Sequence, residues 1–342
     1  MSTLPAVVVG MSGGVDSGVA AFLAKEAGFR VVGVMLQIKE AGVSRDADEA
    51  AFLAVAEKLG VECRIEKVPE FQDKVILPAA EMYAAGCTPN PCCICNAAVK
   101  IPKLLEIADA LGASHVWTGH YATLRNGRLY RGTDREKDQS YFLYRLDEKM
   151  RRRLVFPLGG KTKQQVRALA TELDLPVASR PDSQDVCFGT ANESCGETLR
   201  RRAGLPEKIG YFRFRGKIVG SHRCVHGCTV GQRSGLGVAL GVPAYVKSIC
   251  GETGDVELET DLRALETTRF YLDDVVLHDE TLPGRAQICI RYRGKTVGAA
   301  LKQENNRIAV TLDEALRAVA PGQAGVFYRD ELLAGGGVIS PA

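Results

Sequence analysis

The run Ser12-Gly13-Gly14-Val15-Asp16-Ser17 stands directly between an apolar stretch, Ala6 to Gly10, and a helix-like stretch, Gly18 to Ala27. That order of strand, glycine turn and helix constrains the fold more than any other part of the chain. It aims successive backbone N–H groups, and the positive end of a helix dipole, at one point where an anion such as a polyphosphate is favoured. Gly13 and Gly14 let backbone approach a ligand, and Ser12 and Ser17 add hydroxyl donors. A carboxylate beside phosphates, Asp16, calls for a divalent cation between them, so ATP with Mg²⁺ is implied and Asp16 is an indirect partner of the metal. No lysine follows the glycines at the GxxxxGK[ST] spacing, which disfavours an ordinary kinase or GTPase loop.

The first half keeps this alternation. Strands are expected at Ala6–Gly10, Val31–Leu36, Glu62–Val68 and His115–Thr118, with helices at Gly18–Ala27, Ala47–Leu59, Lys100–Leu111 and Lys163–Leu173. The pattern predicts an α/β fold with a parallel sheet wrapped by helices. Such sheets bind ligands outside the carboxyl ends of their strands, where both Ser12–Ser17 and Thr118-Gly119-His120 fall. After about Arg202 short alternating segments separated by glycines predict β-rich structure, among them Tyr211–Phe214, Lys217–Val219, Ala244–Ile249 and Asp255–Leu258. Runs at Asp273–Leu277, Gln287–Tyr292, Arg307–Leu312 and Gly325–Tyr328 then predict a small barrel or sandwich. The expected division is a catalytic domain over 1–202, a central β-rich domain over 203–265 and a C-terminal β-barrel over 266–342.

At 342 residues and 46% hydrophobic content the chain is a globular protein of two or three domains. Its apolar runs fall far short of the roughly 20 residues that span a bilayer, and its start lacks the segments of a signal peptide. A cytoplasmic protein with no membrane partner is expected. Eleven cysteines spread through so long a chain read as reduced thiols, ligands or catalytic groups rather than a disulfide framework. The net charge is only +3, but eleven Lys/Arg face six Asp/Glu between Lys149 and Arg202. Arg151-Arg152-Arg153, Arg200-Arg201-Arg202, the stretch Phe212 to Lys217 and Arg291-Tyr292-Arg293 are surfaces of the kind that bind phosphate backbones, or simply solvated faces.

The second strong signal is Thr88-Pro89-Asn90-Pro91-Cys92-Cys93-Ile94-Cys95-Asn96. Asn90 as N-cap and Pro91 at the first helical position would put the Cys92 and Cys95 thiols near a helix N-terminus, where a thiolate is favoured. Asp182-Ser183-Gln184-Asp185-Val186-Cys187-Phe188 supplies a distant cysteine in a turn-like setting. Two separated reactive cysteines suit a sulfur relay, in which one carries a persulfide and the other attacks it.

Together, SGGVDS, TPNPCxxCN, TGHYA at Thr118–Ala122, KDQSYFL at Lys137–Leu143, DSQDVCF, GQRSGLG at Gly231–Gly237, RYR and the terminal APGQAGVFYRDELLAGGGVI resemble the bacterial tRNA-specific 2-thiouridylases. These belong to the PP-loop ATP pyrophosphatase superfamily, and the likeness spans almost the whole chain. It implies an ATP-dependent tRNA-uridine 2-sulfurtransferase. The C2 oxygen of wobble uridine 34 attacks the α-phosphate, pyrophosphate leaves, and sulfur then displaces AMP. Matching positions make Cys187 the persulfide carrier and Cys95 the nucleophilic or resolving cysteine. They assign nucleotide binding to Gly10, Met11, Ser12, Gly13, Gly14, Val15, Asp16, Ser17, Met35 and Gly119. They assign tRNA contact to Asn90, Pro91, Cys92, His120, Lys137, Asp138, Gln139, Arg291, Tyr292 and Gln323. The implied partners are wobble-uridine tRNAs and a protein donating persulfide or sulfide. Chemistry on a ring carbon needs an unstacked base, which an anticodon loop supplies cheaply.

Much of the family has Asp, a proposed general acid or base, where this chain has Cys92, and a thiol is a different acid. Cys92, Cys95 and Cys187 would instead supply three thiolates to a [4Fe-4S] cluster with one iron open to bind sulfide. The persulfide relay and the cluster both stay open at this point. Cys93 is expected to face packing or solvent. His222 to Cys228 resembles a zinc motif, but if extended it separates its ends by about 20 Å, too far for one ion. Cys63, Cys195, Cys250 and Cys289 are read as apolar fillers and Trp117 as core. Two other functions fit part of the pattern: another PP-loop adenylating synthetase, which needs no reactive cysteines, and a noncatalytic tRNA-binding relative with a vestigial loop.

Overall fold

The computed structural model describes residues 4–40, 43–182, 186–189 and 193–340. Two compact units account for it. The first holds Met1–Phe71, Cys95–Phe188 and Glu331–Leu333, the second Gln72–Ile94, Gly189–Asp330 and Ala334–Ala342.

In the first unit β1 (Ala6–Gly10), β2 (Arg30–Gln37), β3 (Glu62–Lys67) and β4 (His115–Thr118) appear where the apolar pattern put them. A hairpin of β5 (Ala122–Arg125) and β6 (Arg128–Arg131) and a two-residue β7 (Leu154–Val155) complete its strands. The parallel sheet runs β3-β2-β1-β4-β7. Val7, Val8 and Val9 of central β1 are wholly buried, as expected of a strand covered on both faces. Helix Val15–Glu26 packs Val19, Ala20, Ala21 and Ala24 into that core beside Phe52, Val55 and Trp117. β3 closes one edge with Glu62, Arg64, Glu66 and Lys67, charges that discourage further strand pairing. Asn126 and Gly127 turn the hairpin with φ of 52° and 73°, the left-handed pair that matches strand twist.

The second unit carries two β structures and the helix Leu77–Ala84. β8 (Gly210–Phe214), β9 (Lys217–His222), β10 (Tyr245–Ile249) and β11 (Val256–Glu259) form a sheet in the order β10-β11-β8-β9 over Phe212, Val246, Val256 and Leu258. The other six strands are β12 (Glu266–Leu277), β13 (Arg285–Cys289), β14 (Thr296–Glu304), β15 (Arg307–Arg317), β16 (Ala324–Arg329) and β17 (Leu332–Ser340). They follow one another as β12-β15-β14-β13-β16-β17, and pairing of β17 with β12 closes a barrel around Phe270, Leu272, Ile288, Val310 and Phe327. Closure leaves none of these six strands with a free edge, and β17 also pairs with β6 of the hairpin. β17 lies outside the strand runs expected from the sequence, and Gly335 and Gly337 are what allow it to pair. A Cβ would lie 2.5 Å from Val276 O at the first and 2.8 Å from Asp273 O at the second. β13 stops at Cys289, so Arg291 and Tyr292 sit in the turn beyond it rather than in the expected strand.

Candidate active site

Helix Val15–Glu26 begins at Gly14, an extended N-cap (φ −100°, ψ 164°) with no capping side chain. Its first N–H groups therefore have no side-chain acceptor at the cap, the condition for anion binding at a helix entrance. Ser17 Oγ accepts from Ser12 N at 3.1 Å and donates to Gly14 O at 3.1 Å. That hydroxyl, expected to meet a ligand, is buried and instead shapes the loop. Gly13 takes φ +73°, and a Cβ there would lie 2.5 Å from Asp48 O. Behind the loop Met11 and Met35 are buried in the core. At the end of β4, Gly119 lies so close that a Cβ would meet the Asp16 backbone at 2.9–3.0 Å.

One cation beside Asp16 comes from the protein itself. Lys163 opens helix Lys163–Glu172, whose start is fixed by a capping box between Thr162 and Gln165. Its Nζ donates to both Asp16 oxygens at 2.7 and 2.8 Å, and Tyr121 OH donates to Asp16 Oδ1 at 2.8 Å. With both oxygens so engaged, Asp16 is not arranged as a direct magnesium ligand. The same ammonium lies 2.9 Å from Asp182, which also receives Lys137 at 2.7 Å and Arg167 at 2.6 Å. Burial alone would raise the Asp182 pKa, but hydrogen bonds from Lys137 and Lys163 outweigh it and hold the carboxyl well below its ordinary range. Burial, then the adjacent Asp16 charge, push the Tyr121 phenol far up, so it remains a donor. Arg180 Nη1 donates to Gly13 O at 2.9 Å, and its other arm pairs with Asp48.

His120 follows Gly119. Its Nδ1 lies 2.7 Å from Thr118 Oγ1, and its ring meets Phe156 edge-on. Burial, helped by the Lys100 charge, pushes its pKa down to about 3, so the imidazole is neutral at physiological pH. Gln139 Oε1 accepts from Tyr121 N at 3.0 Å. Asp138 is buried, its oxygens accepting from Gly132 N, Ser140 N and Ser140 Oγ, each at 3.0 Å. In this state Lys137 and Asp138, both assigned to tRNA contact from the motif, are committed to ion pairs and turn structure.

Asn90 caps the cysteine helix as its sequence suggests, Oδ1 accepting from Cys93 N at 3.3 Å. Cys93 and Cys95 are buried, Cys92 is half-buried and Cys187 is exposed. Cys95 and Cys187 belong to the first unit, whereas Cys92 belongs to the second. Asn96 Nδ2 donates to Phe142 O at 3.2 Å and Phe188 packs edge-on against Phe71, fixing the chain beside each first-unit cysteine. Ser183 to Asp185 of the DSQDVCF motif lie outside the described residues. Among the described residues no three His, Cys, Asp or Glu side chains gather closely enough to hold a metal ion. Within the second unit, no zinc site is assembled among the described residues of His222–Cys228. There a short turn at Val225–Gly227 brings Cys224 Sγ within 3.5 Å of His226 Nδ1.

A family described as tRNA methyl transferase HUP domain matches residues 5–191, and an aminomethyltransferase beta-barrel domain matches residues 267–339. A tRNA-specific 2-thiouridylase of Caldanaerobacter subterraneus is 39% identical over 360 residues, covering 97% of each chain. That of Carboxydothermus hydrogenoformans is 39% identical over 354 residues with the same coverage, and that of Rippkaea orientalis 39% over 348 residues, covering 97% of this chain and 99% of its own. The chain belongs to the tRNA-specific 2-thiouridylase family. Gln323 Nε2 donates to Thr88 O at 3.0 Å and Pro89 O at 3.5 Å, holding the loop before the cysteines. Thr88 N donates to Pro321 O at 2.7 Å from the same turn.

The basic runs divide by role. Arg151 is buried and donates to Gly127 O and Leu146 O, Arg152 pairs with Glu148, and Arg153 with Asp109. Arg201 pairs with Glu193 and Arg213 with Asp255. Arg291 is exposed, and Arg293 stacks on Tyr292 at 5.1 Å. Cys250, expected to be a filler, is exposed because β10 ends there in a turn closed by its bonds with Gly254 and Asp255. Cys289 is buried and Trp117 is core, packed edge-on against Phe29. Lys163, Tyr121 and Arg180 were missing from the sequence-derived site. Tyr121 lies in a quoted motif, but nothing local marks Lys163 or Arg180 as partners of the loop.

Proposed function

We propose that this protein is a tRNA 2-thiouridylase that converts the wobble uridine at position 34 to 2-thiouridine, consuming MgATP and releasing AMP and pyrophosphate. The observation that carries the reading is one unit holding both the uncapped helix entrance at Ser12–Ser17 and the two cysteines of the family motifs, Cys95 and Cys187. The uridine C2 oxygen attacks the α-phosphate and the bond to pyrophosphate breaks, leaving an adenylated oxygen that can depart as AMP. The terminal sulfur of a persulfide on Cys187 bonds to C2 as AMP leaves. The Cys95 thiolate then attacks Cys187 Sγ, so that the sulfur–sulfur bond breaks, 2-thiouridine departs and a Cys95–Cys187 disulfide forms. A cellular dithiol reduces that disulfide, and a partner protein recharges Cys187 with persulfide. We assign tRNA contact to Asn90, Pro91, Cys92, His120, Arg291 and Tyr292, read 203–265 and 266–342 as separate modules, and place the protein in the cytoplasm with its substrate. No helix among the described residues is long and apolar enough to cross a membrane.

The test is 2-thiouridine formation on wobble-uridine tRNA with ATP and a persulfide donor. Cys95→Ser and Cys187→Ser should each lower turnover at least about 10²-fold, as loss of a covalent catalyst does. Both should still release pyrophosphate in a tRNA-dependent manner. Unimpaired thiolation by both variants would remove sulfur transfer from the assignment, and absence of tRNA-dependent pyrophosphate release from the unaltered protein would favour a noncatalytic binder. Iron-free protein that still thiolates tRNA would confirm the persulfide route over the cluster.

A further inference from the structure

We propose that Lys137, Lys163 and Arg167 form the subsite for the pyrophosphate half of the nucleotide, a subsite that the Asp182 carboxylate fills in this structure. The inference rests on the reading of Ser12–Ser17 as an ATP loop. Three cationic side chains converge on one carboxylate: Lys137 Nζ at 2.7 Å, Lys163 Nζ at 2.9 Å and Arg167 Nη2 at 2.6 Å. An ammonium pair and one guanidinium around a few oxygens is the donor set that phosphate oxygens take. The cluster touches the loop itself, since the Lys163 ammonium also lies 2.7 Å from Asp16. Lys163 is held for this position by three local devices: the capping box at Thr162, the bond from its own N–H to Asp134 Oδ2 at 2.9 Å, and the Tyr121 ring beside its Nζ.

The chemistry supplies the need. When an oxygen attacks the α-phosphate, negative charge builds on the departing pyrophosphate, and stabilising that charge is the largest lever available to an enzyme of this kind. The loop carries no lysine of its own, so a side-chain cation for that charge has to come from elsewhere in the fold. Pyrophosphate brings more charge and more acceptor oxygens than a carboxylate, so it displaces Asp182 from the three cations as it binds.

Competition binding on the full chain tests this, with inorganic pyrophosphate and AMP each displacing ATP. Lys163→Ala should weaken pyrophosphate about 10- to 100-fold, the range for losing a charge-assisted hydrogen bond, while AMP changes less than about twofold. Lys137→Ala and Arg167→Ala should act in the same direction, and Lys163→Arg should recover part of the loss. Asp182→Asn decides between a ligand subsite and a structural tether. Removing the competing anion should tighten pyrophosphate several-fold, whereas a tether would make Asp182→Asn as harmful as Lys163→Ala. Pyrophosphate binding unchanged in Lys163→Ala, or weakened in Asp182→Asn, overturns the proposal, and the second arm decides if Lys163→Ala does not fold. An unaltered protein that binds ATP but releases none of it to pyrophosphate also overturns it. An unaltered protein that binds no ATP overturns the nucleotide reading and the subsite with it.

Discussion

Asp16 shows how a residue's role depends on what reaches it. Beside a phosphate loop its carboxylate asks for a cation, and Lys163, 147 positions away, supplies one at 2.7 Å. Gly119 is equally constrained: a methyl group there would meet the Asp16 and Ser17 backbones at 2.9–3.0 Å. Gly119→Ala should therefore cost about 1–3 kcal/mol of stability by overpacking and weaken ATP binding, read by urea unfolding and nucleotide titration. His120 carries a pH signature. Its pKa is about 3 in the folded chain, against roughly 6.5 when unfolded. Between those values the unfolded chain binds the extra proton, so stability is complete above about pH 6.5 and falls as pH drops towards 3, by at most about 1.4 kcal/mol per unit. His226, lowered by its own burial, adds in the same direction. His120→Gln should lose about 1–2 kcal/mol less than the unaltered protein between pH 7 and 5, measured by urea unfolding.

At the scale of elements, the loop before the cysteines is shaped by the barrel turn of its own unit. Gln323 reaches across 235 positions to Thr88 O, and Gly322 leaves room for Cys87 and Thr88, which a Cβ would meet at 2.9 Å. Gln323→Ala removes two hydrogen bonds from that loop. It should lower kcat/KM for tRNA roughly 5- to 30-fold, the equivalent of one or two ordinary hydrogen bonds, while KM for ATP stays within about twofold. The parallel strands were legible because strands buried on both faces are continuous apolar runs, as in Val7 to Val9. The hairpin β5–β6 was not read, although Asn126-Gly127 between short alternating runs is a recognisable turn signal. β17 was hidden for a different reason. Its glycines answer to the close approach of β12, which no local pattern of β17 reports.

Across the molecule, net charge +3 says little about RNA binding, because many of its arginines are spent on carbonyls and carboxylates. Affinity for tRNA should still fall steeply with salt, since phosphate contacts release counterions. Arg291→Ala should weaken binding alike for all substrate tRNAs and reduce the slope of log K against log salt by about 0.7–0.9. The alternation of elements, the phosphate loop, the Asn90 cap and the cysteine motifs were written in the sequence alone, since each rests on period, turn chemistry or spacing within a few residues. The tertiary structure alone decided that Lys163 neutralises Asp16, that three cations surround Asp182 and that Gln323 holds Thr88. It also turned Arg151 and Asp138 inward, to serve backbone groups and turns. Ion pairs and hydrogen bonds between distant segments leave no periodic trace, because any charged residue on a helix can face solvent until the fold brings it a partner.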